Sequence, residues 1–288
     1  MYQLEQGTWL DTTRVGGGAP VRIMGVINLS PESFYSESVR TGRDALAARA
    51  EAMAREGADL LDVGAMSTAP YNDTAIPLAE EIRRLEAAIP IIRAASGLPV
   101  AVDSPRAPAA AAALAAGATT LNAISGLHQD ADMARVAADA KGVILMAGER
   151  PGAPGDPVAQ VLHSWQSSLA IARRAGVDPR LIVLDPGIGF FRGGPLPWHE
   201  WDIQVLRQLR RLTDIGYPLF VGVSRKSFIG ERLQRPDPAD RLAGSLAAAT
   251  LAVSQGAAVI RTHDVGATRD AVRLAEIILG RPDSPDSP

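Results

Sequence analysis

Eight times along the chain a short aliphatic or β-branched run gives way to a loop rich in Gly, Pro, Ser or Asp, then to an Ala/Leu/Arg segment of helical period. The runs fall near 22–27, 59–64, 99–103, 119–122, 143–147, 181–185, 219–223 and 258–262. The helical segments fall near 42–56, 78–96, 106–116, 131–141, 157–175, 200–215, 240–256 and 266–279. Eight β/α units without a competing element are the count of a closed (β/α)8 TIM barrel of class α/β. A doubly wound open sheet is the alternative, but it normally carries a glycine fingerprint after its first strand and a switch point that nothing here marks.

At 288 residues the chain exceeds the usual ~250 of such a barrel only modestly. Its 47% hydrophobic, Ala-rich and aromatic-poor composition suits closely packed helices. We expect residues 1–280 to form one barrel domain and 281–288 to be a disordered tail. The first twenty residues, with Gly16 to Gly18, read as an extra hairpin closing the barrel floor. Gly57, Gly117 and Gly256 follow helical segments, where a left-handed residue stops a helix.

The net charge of −3 is spread over interspersed acids and bases, with no basic block to track a phosphate backbone, so a nucleic-acid partner is not expected. No apolar run reaches the ~18 residues that span a bilayer and the start has no signal-peptide order, so a cytoplasmic protein without a membrane partner is expected. With no Cys, thiolate chemistry is excluded and a metal must sit on oxygen or imidazole.

In such barrels reactive groups lie at the C-terminal ends of the strands. Collected there are Asn28, Asp62, Ser67, Thr68, Asp103, Asn122, Asp185, Arg225, Lys226, Arg261 and His263. Any one of them is more often a cap or turn former than a ligand contact. As a set they segregate: acids and amides at strands three, four and six would surround a flat donor- and acceptor-rich heterocycle, and cations at strands seven and eight would face an anion. Glycines in DPGIGF and VGVSRKSFIG are expected to let that ligand approach the backbone, with Arg225 and Lys226 pointing at it. Ser227 is expected to begin a helix or turn that offers N–H groups and a hydroxyl to an anion.

GVINLSPESF, GADLLDVGAMSTAP, VDSPRA, GATTLNAISG, LDPGIGF, GYPLFVGVSRKSFIG and IRTHDV, in that order over about residues 20–280, resemble the dihydropteroate synthases of folate biosynthesis. These transferases condense 6-hydroxymethyl-7,8-dihydropterin pyrophosphate with p-aminobenzoate. The resemblance implies pterin contacts at Asp103, Asn122, Met146, Asp185 and Lys226. It implies pyrophosphate contacts at Asn28, Arg261 and His263, with Mg2+ on Asn28. It places an arylamine pocket at Thr68, Pro70, Phe190, Lys226 and Ser227. Asp103, Asp185, Lys226, Arg261 and His263 would then carry catalysis, without a covalent intermediate. It also implies a homodimer through helices away from the mouth, for which SLAAATLAVSQ at 245–255 is a candidate surface.

Where the family reads approximately PDSFSDGG and GGESTRPG, this chain reads PESFYSES and GAMSTAPY, so Glu37 and Ser38 replace an Asp–Gly pair and Met66 and Ala69 replace a Glu and an Arg. Smaller departures are Ala123, in place of the Asp of NDISG, and Ala147–Gly148 after Met146. A lid closed by that Asp and Arg cannot form identically, which motivates three alternatives: a ribosyl-aniline phosphate acceptor, as in methanopterin-type pathways; a pterin-dependent methyltransferase; and a non-catalytic pterin-binding paralogue. Retained Ser227 favours a benzoate, and the Arg261–His263 pair favours pyrophosphate departure over methyl transfer.

Overall fold

The computed structural model describes residues 7–29, 39–66 and 76–281, apart from 151, 154, 194 and 195. A hairpin of β1 (Thr8–Leu10) and β2 (Thr13–Val15) comes first. It is followed by β3 (Arg22–Asn28), α1 (Val39–Arg55), β4 (Leu60–Gly64), α2 (Leu78–Ser96), β5 (Val100–Asp103), α3 (Ala107–Ala115), β6 (Thr120–Ala123) and α4 (Met133–Asp139). Then come β7 (Gly142–Met146), α5 (Pro157–Arg174), β8 (Ile182–Asp185), α6 (Trp198–Arg207), β9 (Leu219–Gly222), α7 (Ser227–Leu233), α8 (Leu242–Ser254), β10 (Ala257–Thr262) and α9 (Val265–Ile278). Strands β3 to β10 close a parallel barrel, β10 pairing with both β9 and β3. Every one of the eight runs read from the sequence is one of these strands. Among the described residues no helix is long and apolar enough to cross a membrane.

Alternation along each strand separates two cores. Ile23, Leu61, Val102, Leu121, Val143, Leu184, Val221 and Ile260 belong to the large cluster under the helices. Met24, Leu60, Ala101, Ile144, Val183, Phe220 and Val259 form a separate cluster inside the barrel, joined by Leu10 and Val15 of the hairpin. The expected closure of the floor is therefore made by side chains that plug the strands from below, and Leu10 has no exposed surface. Leu10→Ala is expected to cost about 2–5 kcal/mol in urea unfolding, because rigid strand ends cannot collapse into the space it leaves. A loss below about 1 kcal/mol would show that the hairpin is a dispensable appendage.

One predicted helix is divided. The segment expected as a single helix over 200–215 ends at Arg207 and continues as a 3-10 turn over Leu209–Ile215. Gln255 causes the break: its Nε2 donates to the Leu206 carbonyl at 2.6 Å and its Oε1 accepts from the Arg210 N–H at 3.4 Å. Those are the two groups an α-helix would join to each other, so a side chain from the end of α8 replaces one rung of the ladder. Gly57, Gly117 and Gly256 have φ of 93°, 114° and 105°, as their helix-stopping role requires.

Candidate functional site

Two residues above the apolar plug, the next inward-facing position changes on seven of the eight strands, β3 alone keeping an aliphatic residue, Val26. Leu60, Ala101, Thr120, Val183 and Val259 give way to Asp62, Asp103, Asn122, Asp185 and Arg261, while Ile144 gives way to Met146 and Phe220 to Gly222. Arg261 is the hub of this polar layer. Its Nε donates to Asp62 Oδ2 at 2.6 Å and its Nη2 to Asp103 Oδ2 at 3.2 Å. Asn122 Nδ2 also donates to Asp62 Oδ2, at 3.1 Å. Asp62 Oδ1, Asp103 Oδ1 and Asn122 Oδ1 are buried and have no hydrogen-bond partner among the described residues. Three acceptors on adjacent strands thus lack donors, a costly state unless a donor-rich ligand completes them.

The charges of this layer govern one another. Burial, aided by Asp62, pushes Asp103 up to about 7 against the pull of Arg261 and Lys226. Burial raises Asp185 to about 6, opposed by the Gly187 N–H, Lys226 and Arg261. Burial on its own would lower Arg261, but Asp62 and Asp103 outweigh it and hold the guanidinium above its ordinary value.

Beyond β8 the chain turns tightly. Asp185 Oδ1 accepts from the Gly187 N–H at 2.8 Å, and the Asp185 carbonyl accepts from Trp165 Nε1 at 3.0 Å. Gly187 has φ 74° and Gly189 φ 86°. A Cβ on Gly187 would strike the Ala147 carbonyl, and one on Gly189 would meet Lys226 Cδ at 3.2 Å. These glycines make room for the protein's own backbone and lysine. Lys226 Nζ sits 4.5 Å over the Phe190 ring. Burial and Arg261 bring the ammonium down to about 8, against the attraction of Asp185, Asp202 and Asp103.

At the rim two expectations change. Arg225 does not point into the mouth: its backbone is left-handed at φ 55° and its guanidinium clamps Asp264 at 2.6 and 2.8 Å. His263 is not a second cation, because burial, Arg261 and Arg225 push it down to about 4 although Asp264 opposes them. Ser224 Oγ accepts the His263 backbone N–H at 3.1 Å and the Thr262 hydroxyl at 3.4 Å, and lies 3.0 Å from His263 Nδ1. The Ser224 contact to Nδ1 holds the His263 imidazole in place at the rim. Asn28 is exposed at the end of β3. Ser227 opens α7, and its hydroxyl accepts from Arg192 Nη2 at 3.2 Å.

Thr68 and Pro70, like Ser67, Ala69, Glu37 and Ser38, lie outside the described residues. Met66, at the start of that loop, is described: its Sδ lies 3.5 Å from Arg106 Nη2, and Arg106 in turn pairs with the fully buried Glu81 at 2.5 Å. Sequence reasoning left three residues without a role. Asp62 was among the collected strand-end acids but is the shared acceptor of Asn122 and Arg261. Ser224, just before the basic pair, was not among the collected residues. Asp202 is fully buried on α6, and its signal was an acid in register with Trp201 and Val205 on the apolar face. A further signal is basic-residue usage: only Lys141 and Lys226 are lysines among 29 basic residues.

A (β/α)8 barrel whose mouth holds buried acids, an amide, a lysine and an arginine in this layout defines the class of pterin-binding enzymes, and the family model described as "Pterin binding enzyme" matches residues 24–263. A Synechocystis dihydropteroate synthase is 35% identical over 270 residues, covering 91% of each chain. A Xanthomonas albilineans dihydropteroate synthase solved with 4-aminobenzoic acid superimposes with TM-score 0.82 at 38% identity, covering 92% of this chain and 95% of that one. The same enzyme in complex with 7,8-dihydropteroate gives TM-score 0.80 at 35% identity, covering 92% and 96%. The chain belongs to the dihydropteroate synthase family.

Proposed function

We propose that this chain condenses 6-hydroxymethyl-7,8-dihydropterin diphosphate with p-aminobenzoate, releasing diphosphate, and that residues 1–280 act as one pterin-binding unit. The observation that carries this reading is the trio of buried, unpartnered acceptors Asp62 Oδ1, Asp103 Oδ1 and Asn122 Oδ1 beside two cations. The amino and ring N–H groups of a pterin have the chemistry to satisfy them. Solved relatives bound to 4-aminobenzoic acid and to 7,8-dihydropteroate support the two substrates.

In the reaction the methylene C–O bond breaks, the arylamine nitrogen forms the C–N bond and loses a proton to solvent, and both electrons of the old bond leave with the diphosphate. Positive charge grows on the pterin methylene and negative charge on the departing oxygen. Asp103, Asn122 and Asp185 hold the ring edge and offset the first, with Met146 against the ring. Arg261, His263 and the Asn28 amide receive the second. Lys226 lies between the two substrates; Phe190, Ser227, Thr68 and Pro70 contribute to the arylamine side. Rate enhancement comes from positioning and fixed charge.

A resident metal does not fit the described residues, among which no group of three His, Asp or Glu side chains is placed to hold one. The single exposed oxygen of Asn28 does fit Mg2+ delivered with the diphosphate, since Mg2+ commonly takes few protein ligands alongside phosphate oxygens and water. Bound there it would neutralise leaving-group charge. We also propose a homodimer: a cavity of about 440 Å3 between α6, α7 and α8 is lined by Ile203, Leu206, Phe228, Ala248 and Leu251, and Leu251 is 63% exposed.

Turnover assays with p-aminobenzoate and a ribosyl-aniline phosphate test the acceptor: product is expected from the benzoate, and product from only the phosphorylated amine would overturn the assignment. The diphosphate half has its own test. His263, neutral with a value near 4, gains proton affinity beside an added polyanion, so diphosphate binding takes up a proton and tightens as pH falls from 7.5 to 5.5. Calorimetry in buffers of different ionisation heat reads the uptake; an unchanged uptake in His263→Gln would remove His263 from the site.

A further inference from the structure

We infer that Asp202 is a positioning residue for Lys226, a buried carboxylate that fixes the turn beneath the lysine and supplies part of the negative field holding its ammonium in place. The inference deepens the reading of Lys226 as a substrate contact and rests on it.

Asp202 is an anomaly on α6. It has no exposed surface, it shares the apolar face with Trp201 and Val205, and among the described residues it makes one hydrogen bond. That bond is Oδ1 accepting from the Gly189 N–H at 2.7 Å, while Oδ2 is buried without a partner among the described residues. An isolated buried carboxylate is expensive, so something must offset it. The geometry names the offset: the stem of Lys226 lies across Gly189, with Cδ 3.2 Å and Nζ 3.3 Å from where a Cβ would stand. The amide that Asp202 holds therefore belongs to the residue on which the lysine rests.

Asp185 and Asp202 thus clasp one turn from two elements, Asp185 taking the Gly187 N–H and Asp202 the Gly189 N–H. The charged groups facing Lys226 are Asp185 from β8, Asp103 from β5, Arg261 from β10 and Asp202 from α6. Those facing Asp202 are Lys226 and Arg192. Burial pushes Asp202 up to about 6, which leaves it ionised at pH 7.5. Asp185 is taken up by the pterin edge in the proposed reaction and Asp103 by the same ring. Asp202 is the one acid of the set behind the turn, so its charge stays available to Lys226 throughout.

Asp202→Asn keeps an acceptor for Gly189 and deletes the charge. Because the chain has only two lysines, trace acetylation of the full-length protein followed by peptide mass spectrometry reads Lys226 directly, with Lys141 as internal reference. The expected result is that Lys226 becomes about threefold or more as reactive at pH 7.5, since losing a nearby anion favours the neutral amine. The alkaline limb of kcat/KM should move to lower pH with it. An unchanged Lys226-to-Lys141 ratio would overturn the inference and leave Asp202 a turn-holding acceptor. A changed ratio with an unmoved kinetic profile would support the Asp202–Lys226 coupling and instead sink the reading of Lys226 as a substrate contact. Should Asp202→Asn fail to fold, Lys226→Met gives the reciprocal measurement: carboxyl NMR should show Asp202 titrating at higher pH than in the parent, and an unmoved titration overturns the inference.

Discussion

Asp185→Asn is expected to lower kcat/KM for the pterin diphosphate by about 10²–10³, the loss typical of removing one fixed group aimed at developing transition-state charge. Two roles of the side chain separate cleanly. Oδ1 holds the Gly187 N–H at 2.8 Å, and an asparagine oxygen can do the same, so the turn and the fold should survive with about 1 kcal/mol or less of change. What asparagine cannot do is offset positive charge on the pterin methylene, and its NH2 presents a donor where the ring edge also donates. The pH dependence carries the same signature. With its value raised to about 6, Asp185 gains a proton as pH falls through 6, so the parent should lose activity there; the variant should lack that component of the acid limb. Steady-state kinetics from pH 5 to 9 with thermal melts alongside make the comparison. Turnover within about threefold of the parent would place the reacting carbon elsewhere.

The barrel was legible because its strands are buried on both faces, so each reads as a short aliphatic run between helices. Polar residues break those runs only at the C-terminal ends, which is why Asp103, Asn122, Asp185, Lys226 and Arg261 could be collected without coordinates. What was not legible depends on neighbours remote in sequence. Gln255 divides the predicted 200–215 helix from 45 residues away, by taking the Arg210 amide. Arg225 and Lys226 are adjacent letters, but a left-handed Arg225 sends one to Asp264 and the other across Gly189. His263 looked like a cation, and its charge is set by burial and by Arg261 rather than by residue type. Asp62 read as one strand-end acid among several, and only the closure of β10 onto β3 brings Arg261 to it.

Arg261→Met tests that closure, and its effect should appear in stability as well as in turnover. The guanidinium sits between Asp62, whose side chain has no exposure, and Asp103 at 7%, 2.6 and 3.2 Å away. Methionine fills the space and leaves two buried carboxylates facing one another without their cation, a change that typically costs about 3–5 kcal/mol. The sign of its pH dependence follows from Asp103. Its value in the folded protein, about 7, already lies above the usual carboxylate range, so its ionisation opposes folding as pH rises from that range toward 7. Arg261 is one of the groups holding that value down, and without it Asp103 should stay protonated to higher pH, extending the loss of stability past 7. The gap between parent and variant in urea midpoint should therefore be smaller near pH 5, where Asp103 is neutral in both, than near pH 8. A gap independent of pH would mean that Arg261 does not act on stability through Asp103. Turnover should fall too, even at pH 6 where the variant is folded, because the diphosphate then departs without its arginine.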